Sequence, residues 1–443
     1  MLARLGSVPA ASGKEFFRLE IDTAPELRPL PRKLNAVFVI DASRSLHAEN
    51  VDTQLAVARA FLSHVPDASV ELVAVRRRAA RVFGRFVPAK DFEAALTAAV
   101  ARGELALGNG SNLDAGITIA GKALRTQRGP RTIVVTSDAL LRPSWDNRFA
   151  FAALKKAPGA TVHVVLPTAG SRVTEDRRDD DHALSPIAQR GGGVLLHVDH
   201  IDGRSKELDA VALGLVRPIR IDDFRIDGVA FPDDRDLPER LDEGDGLREM
   251  AMLKSAPKRV TLRGKIWAKP FVRQVEATLP FSKATAAFVF SHDMHDDLSD
   301  DEQFRLAMTA GVVSPVTSYL AIEPGVRPST EGLETAGRGF GAGFGSASGV
   351  GYGGGGRGIG KLPPFDLRDE IADEIAACEK AHAPRADWSE TLTLHLTYEE
   401  IVDVDAPTTP MAQCLAEATW TVEMPLSHFS KERDQLAVSF PRR

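Results

Sequence analysis

The chain has 443 residues, 43% hydrophobic and 26% charged, with a formal net charge of −6. That length suits two to four domains, and the negative balance excludes a general affinity for nucleic acid through a basic surface. No run approaches the roughly 18 apolar residues that a membrane span needs, and the first residues lack the apolar segment of a signal peptide, which leaves open an export signal lying upstream.

Residues 15–22 alternate at Phe17, Leu19 and Ile21 and read as a strand, and a Pro-rich stretch at 25–31 separates it from the next apolar run. That run, residues 35–40, is β-branched-rich and of the kind buried on both faces inside a parallel sheet. From 33 to 216 the pattern then alternates. Helices are expected at 51–65, 91–102, 113–124 and 183–189, and strands at 70–75, 80–86, 132–136, 161–166 and 194–198. The natural solution is an α/β fold with a doubly wound, mainly parallel sheet.

Asp41 closes the 35–40 run, at the carboxyl edge where open α/β sheets place their ligands. Ser43 and Ser45 follow at alternate positions, and three oxygens turned to one point suit a hard cation such as Mg²⁺. The same residues also serve as helix caps, and the pattern by itself does not separate the two readings. Ser111, after Gly108-Asn109-Gly110, presents another hydroxyl before a helix, with its own capping alternative. Asp138 ends the segment after the 132–136 strand and reads alternatively as a solvated loop acid. A parallel sheet can bring all five to one edge.

These motifs, Asp41-Ala-Ser43-Arg-Ser45, Ser111 after Gly-Asn-Gly, and Thr136-Ser137-Asp138, resemble the von Willebrand factor type A domain over roughly 180 residues. The resemblance implies a metal-ion-dependent adhesion site with Asp41, Ser43, Ser45, Ser111 and Asp138 as metal ligands. It further implies a divalent cation, Mg²⁺ first with Mn²⁺ or Ca²⁺ as alternatives, and an open coordination position filled by a partner's carboxylate. Arg44 stands where the family has glycine, Ser111 where it has threonine, and Ala139 where it has a glycine after the second acid.

Beyond 216 the pattern changes to alternating segments at 218–226, 247–253, 259–267 and 271–279 with Pro, Asp and Gly turns, as in an antiparallel β-sandwich. A helix is expected at 299–309. The acidic run at 177–182 and the stretch at 233–245 read as solvated loops. The phrase Gly311-Val-Val-Ser-Pro-Val-Thr-Ser-Tyr-Leu-Ala-Ile-Glu323 looks like the segment closing the core of inter-alpha-trypsin inhibitor heavy chains and their bacterial relatives, and that resemblance covers residues 15–325. Most of that group's N-terminal β domain is missing here. The glycine-rich stretch within 337–360 reads as a flexible linker.

The expected organisation is therefore an N-terminal strand segment at 1–32 pairing with the β domain, a type A-like domain at 33–216, a β-sandwich at 217–330, a Gly-rich linker at 331–364 and a small α+β domain at 365–443. In the last, Cys378 and Cys414 are candidates for one disulfide or two reduced thiols, and the two lack the compact companions of a zinc site. The cysteine-flanked strands resemble C-terminal domains of TonB-like envelope proteins, which implies an extracytoplasmic, cell-envelope or secreted protein.

No nucleophile elbow, phosphate loop or zinc-protease helix occurs in the sequence. The expectation is a non-enzymatic module that binds another protein through an acidic residue and a bound cation. A metal-independent envelope scaffold is the alternative, and a Mg²⁺-dependent hydrolase a further one.

Overall fold

A computed structural model describes residues 1–24, 26–168, 177–199, 205–231, 237–292, 294–317, 365–382, 387–397, 400–425 and 434–441. The expected linker lies outside the described residues, as do positions 318–323 of the phrase beginning at Gly311.

Two strands open the chain, β1 (Leu2–Pro9) and β2 (Glu15–Asp22). The central region continues as β3 (Asn35–Asp41), α1 (His47–His64), β4 (Ser69–Val75), β5 (Ala79–Arg81), β6 (Val87–Pro88), α2 (Phe92–Ala101), α3 (Leu113–Leu124), β7 (Arg131–Thr136), α4 (Asn147–Leu154), β8 (Thr161–Thr168), β9 (Arg177–Arg178), α5 (Ser185–Arg190), β10 (Gly192–Asp199) and α6 (Ser205–Val216). These strands form one sheet in the order β5-β4-β3-β7-β8-β10-β9, with β6 also on β4. β3, β4, β7, β8 and β10 run parallel, and the short edge strands β5, β6 and β9 are antiparallel.

Every residue of β3 is buried, which is why its sequence is apolar without alternation. Phe38 and Ile40 pack with Phe61 and Leu62 of α1 and Leu215 of α6 on one face. Val37 and Val39 pack with Ile117 and Leu124 of α3 and Ile187 of α5 on the other. Each such side chain contributes roughly 1.5–3 kcal/mol on burial. Gly116 lets α3 approach this second face, since a Cβ there would lie 2.4 Å from Val75 Cγ2 and 2.8 Å from Val39 Cγ1.

The expected strand at 80–86 is instead two short antiparallel pieces, β5 and β6, because the chain turns at Gly84 with φ +71°. The acidic run at 177–182 is not a free solvated loop. Arg178 lies on β9 and pairs with Asp180 at 2.8 Å and with Asp222, while Asp179 accepts from His197 Nε2 at 2.9 Å.

A second layer contains β11 (Arg220–Asp227), β12 (Leu241–Asp242), β13 (Gly246–Leu253), β14 (Arg259–Ile266) and β15 (Lys269–Glu276), then α7 (Leu279–Ser291) and α8 (Asp300–Ala310). β13 leaves its neighbours and joins the N-terminal hairpin in a β1-β2-β13 sheet, facing a β12-β11-β14-β15 sheet. Leu5, Phe17 and Leu19 interdigitate there with Phe224, Val260 and Leu262. The outer side of the hairpin is covered by α7 and α8, where Val8 and Phe16 meet Ala286, Val289 and Leu306.

The described C-terminal residues form α9 (Leu367–Glu370), α10 (Ala372–His382), β16 (Ser389–Thr397), β17 (Glu400–Asp405), α11 (Pro410–Thr419) and β18 (Asp434–Pro441). β17-β16-β18 is an antiparallel sheet around Leu392, Leu394, Ile401 and Phe440. Cys378 of α10 and Cys414 of α11 are joined, with Cα atoms 5.8 Å apart. Among the described residues no helix is long and apolar enough to cross a membrane.

Candidate metal centre

Asp41 ends β3 at the carboxyl edge of the sheet, and its backbone is fixed before its side chain acts. Gln54 of α1 accepts from the Asp41 N–H at 2.9 Å and donates Nε2 to the Asp41 carbonyl at 2.8 Å. The Thr136 hydroxyl bridges the Val39 carbonyl, at 3.0 Å, and Gln54 Oε1. A buried amide thus ties the ends of two adjacent strands to one helix.

The Asp41 carboxylate is fully buried and collects donors from three loops. Oδ1 accepts the Ser43 N–H at 3.1 Å, while Oδ2 accepts the Ser111 hydroxyl at 2.8 Å and the Ser137 hydroxyl at 2.7 Å. The Ser43 and Ser45 hydroxyls lie 3.1 Å apart and share one hydrogen bond, which either can donate. Of the expected ligands, Asp41, Ser43, Ser45 and Ser111 therefore form one connected oxygen cluster. Ser111 is not the cap of α3. Asn112 fills that place, its Oδ1 accepting from Ala115 N–H at 3.4 Å.

Asp138 is half-buried in the loop after β7, and its Oδ1 accepts the Leu140 N–H at 2.9 Å. Ala139 turns that loop with φ +65°, the left-handed conformation that glycine adopts without strain. The 108–110 loop is zipped to the loop after β3: Arg44 N–H donates to the Gly108 carbonyl at 3.2 Å, and Gly108 N–H to the Ala42 carbonyl at 3.0 Å. Gly110, at φ +84°, lies so close to Arg77 that a Cβ would stand 2.9 Å from its backbone.

Burial first, then the charge of Asp138, raises the Asp41 pKa to about 7, against the hydrogen bonds from Ser137, Ser111 and Ser43. A third acid enters from the C-terminal sheet. Glu400 of β17 is fully buried, accepting the Gly110 N–H at 2.7 Å and the Ser45 N–H at 3.2 Å. Burial and the charges of Asp41 and Asp138 hold its pKa well above the carboxylate range. Three acids thus meet at one corner, where burial and neighbouring charge disfavour the ionised forms of Asp41 and Glu400, while Arg44 pairs with Glu423 at 2.7 Å.

Among the described residues no group of three or more His, Cys, Asp and Glu side chains is placed to hold a metal. The expected ligands Asp41, Asp138, Ser43, Ser45 and Ser111 are two carboxylates with three hydroxyls, an all-oxygen set of the kind that suits a hard cation keeping part of its water. Glu400, Asn109, Ser137 and Gln54 were not singled out by sequence reasoning. Ser137 lies inside the Thr-Ser-Asp motif and was within reach of it. Asn109 lies inside the Gly-Asn-Gly turn, but its partners are in the C-terminal unit, and Gln54 sits one helix beyond Asp41; Glu400 acts only through long-range contacts that leave no local pattern.

Residues 36–140 match the family described as von Willebrand factor type A domain. A comparison with curated proteins gives no match. Similar solved structures include a von Willebrand factor type A protein from Catenulispora acidiphila, at 13% identity, TM-score 0.36, covering 70% of this chain and 86% of that one. The conserved hypothetical protein BatB from Bacteroides thetaiotaomicron is 19% identical, TM-score 0.32, over 41% of this chain and 96% of that one. The pilus adhesin SpaC from Lactobacillus rhamnosus GG, in its open conformation, is 11% identical, TM-score 0.32, over 61% of this chain and 46% of that one. The family match falls on β3 through the Asp138 loop, the stretch that supplies the oxygen cluster, and the chain therefore carries a von Willebrand factor type A-type domain.

Proposed function

We propose that the chain is a protein-interaction or adhesion module that binds a partner's carboxylate through a divalent cation, Mg²⁺ in the first place. The observation that supports this reading most is the connected oxygen cluster of Asp41, Ser43, Ser45 and Ser111 at the carboxyl edge of the sheet. When bound, the cation supplies a Lewis-acidic position for an incoming carboxylate oxygen. Ser111 and Ser137 hold the Asp41 carboxylate in one orientation, and Gln54 fixes the backbone that carries it. The partners of Asp41 are hydroxyl and amide groups, which position the carboxylate. In this reading the module holds its partner through the cation without turnover. The Cys378–Cys414 disulfide supports an extracytoplasmic location, where such bonds persist.

Calorimetric titration of Mg²⁺ and Mn²⁺ into the wild-type chain and Asp41→Ala tests the reading. Saturable heat in the wild type that disappears in the variant is expected. Equal heats in both would leave a metal-independent scaffold in its place.

A further inference from the structure

Glu400 approaches the centre from the end of the chain, 290 positions beyond Gly110. It opens β17, yet its carboxylate is seated between the two loops that frame the oxygen cluster, each of its oxygens taking one backbone N–H, from Ser45 and from Gly110. Buried carboxylates are costly unless partnered, and this one lies where two other acids already raise the local negative charge.

The surrounding contacts hold it there. The Asn109 side chain is 5% exposed and fully used. Its Nδ2 donates to the carbonyls of Trp420 at 2.9 Å and Val422 at 2.8 Å, and its Oδ1 accepts the Ile401 N–H at 3.2 Å. At the rim Arg77 pairs with Glu417 and lies 4.8 Å from the Trp420 ring centroid, while Arg44 pairs with Glu423. The 108–110 loop, the Arg77 turn and the loop after β3 are thus all keyed to one face of the C-terminal unit.

We infer that Glu400 is the chain's own ligand for the centre: the C-terminal unit docks with this carboxylate where an incoming partner's would sit, so that the unit and an outside partner exclude one another. The inference rests on the reading that the centre receives carboxylates. It adds that the described arrangement is a self-occupied form, opened by displacement of the C-terminal unit. Asn109 and the Arg77–Glu417 pair set how readily that happens.

The full chain is compared with Glu400→Gln, Glu400→Ala and Asn109→Ala. Hydrogen–deuterium exchange is followed in peptides covering 42–46 and 108–112, with residues 35–40 as the internal measure of an intact fold. Glu400→Ala is expected to speed exchange of the Ser45 and Gly110 amides tenfold or more in chelator, with 35–40 unchanged. Unchanged exchange at both amides overturns the docking. In Mg²⁺, a labelled peptide of this chain's residues 396–405 is expected to bind Asn109→Ala at least tenfold more tightly than wild type, and its Glu400→Gln counterpart not to bind. Equal binding to wild type and Asn109→Ala overturns the exclusion. Mg²⁺ titration of the wild-type chain separates the two readings. No Mg²⁺ heat with tenfold faster exchange removes the cation and retains the docked carboxylate; normal Mg²⁺ heat with unchanged exchange does the reverse.

Discussion

Arg44 and Glu423 form an ion pair at 2.7 Å, linking the loop after β3 to the C-terminal unit. The guanidinium that interrupts Asp41-Ala-Ser43-Arg44-Ser45 is therefore engaged by the C-terminal unit, with its side chain 22% exposed. The Glu423 side chain is 75% exposed, so the pair contributes at most about 1 kcal/mol.

The expected outcome of Arg44→Gly is a Mg²⁺ affinity within about threefold of wild type, since a screened charge at the rim changes a nearby ion's binding by a few tenths of a kcal/mol. Calorimetry checks it. A gain of tenfold or more would mean that Arg44 suppresses the centre.

Ser137→Ala removes one of two hydroxyls donating to Asp41 Oδ2, at 2.7 Å inside a fully buried network. A hydrogen bond to a buried carboxylate contributes about 2 kcal/mol, and the freed Oδ2 keeps only the Ser111 donor. Denaturant unfolding is expected to show that loss at neutral pH. Mg²⁺ affinity should also fall, because the carboxylate then ionises less readily and is less well oriented.

Much of this network was legible in the sequence. Asp41, Ser43 and Ser45 are local to one strand end, and a strand buried on both faces declares itself by an unbroken apolar run. Ser111 joins them through its hydrogen bond to Asp41 once the sheet is assembled, while Asp138, in the loop after β7, acts on Asp41 through its charge. Glu400 was hidden because its burial arises from docking across 290 positions, and Glu399-Glu400-Ile401-Val402 reads like any charged strand start. β1 was hidden for a different reason. Gly6 breaks its alternation because a Cβ there would stand 2.7 Å from Thr285 Oγ1 and 2.8 Å from the Phe281 carbonyl. α7 was hidden because its apolar residues come directly after a strand and Pro280 at its start resembles a strand terminator.

Ala139 holds φ +65° in the loop that carries Asp138. A left-handed conformation costs an L-residue roughly 1–2 kcal/mol, and glycine adds back about 0.4–1 kcal/mol of unfolded-state entropy. Ala139→Gly is therefore expected to stabilise the chain by about 0.5–1 kcal/mol, and Ala139→Val to destabilise it by more than about 2 kcal/mol. Thermal unfolding of the two variants checks the pair, and a destabilising Ala139→Gly would mean that the methyl group's packing outweighs its strain.

His163 of β8 is fully buried, with its ring centroid 4.9 Å from that of Trp267 in the second layer. The Val194 N–H donates to its Nδ1 at 3.2 Å, which places the neutral ring's proton on Nε2. Burial, and then the charge of Lys269, lowers its pKa from 6.5 to about 3. Between those values the unfolded chain takes up a proton that the folded chain refuses. The stability tied to neutral His163 is therefore complete above pH 6.5 and falls as pH drops from 6.5 toward about 3. The slope is about 1.4 kcal/mol per pH unit, or roughly 2 kcal/mol lost at pH 5. Denaturant unfolding of wild type and His163→Gln at pH 7 and pH 5 isolates this term, because every other titrating group is common to both. The variant starts less stable, having lost a packed ring, yet loses about 2 kcal/mol less over the two units. Identical losses in the two chains would show that His163 is already protonated, or already hydrated, in the folded state.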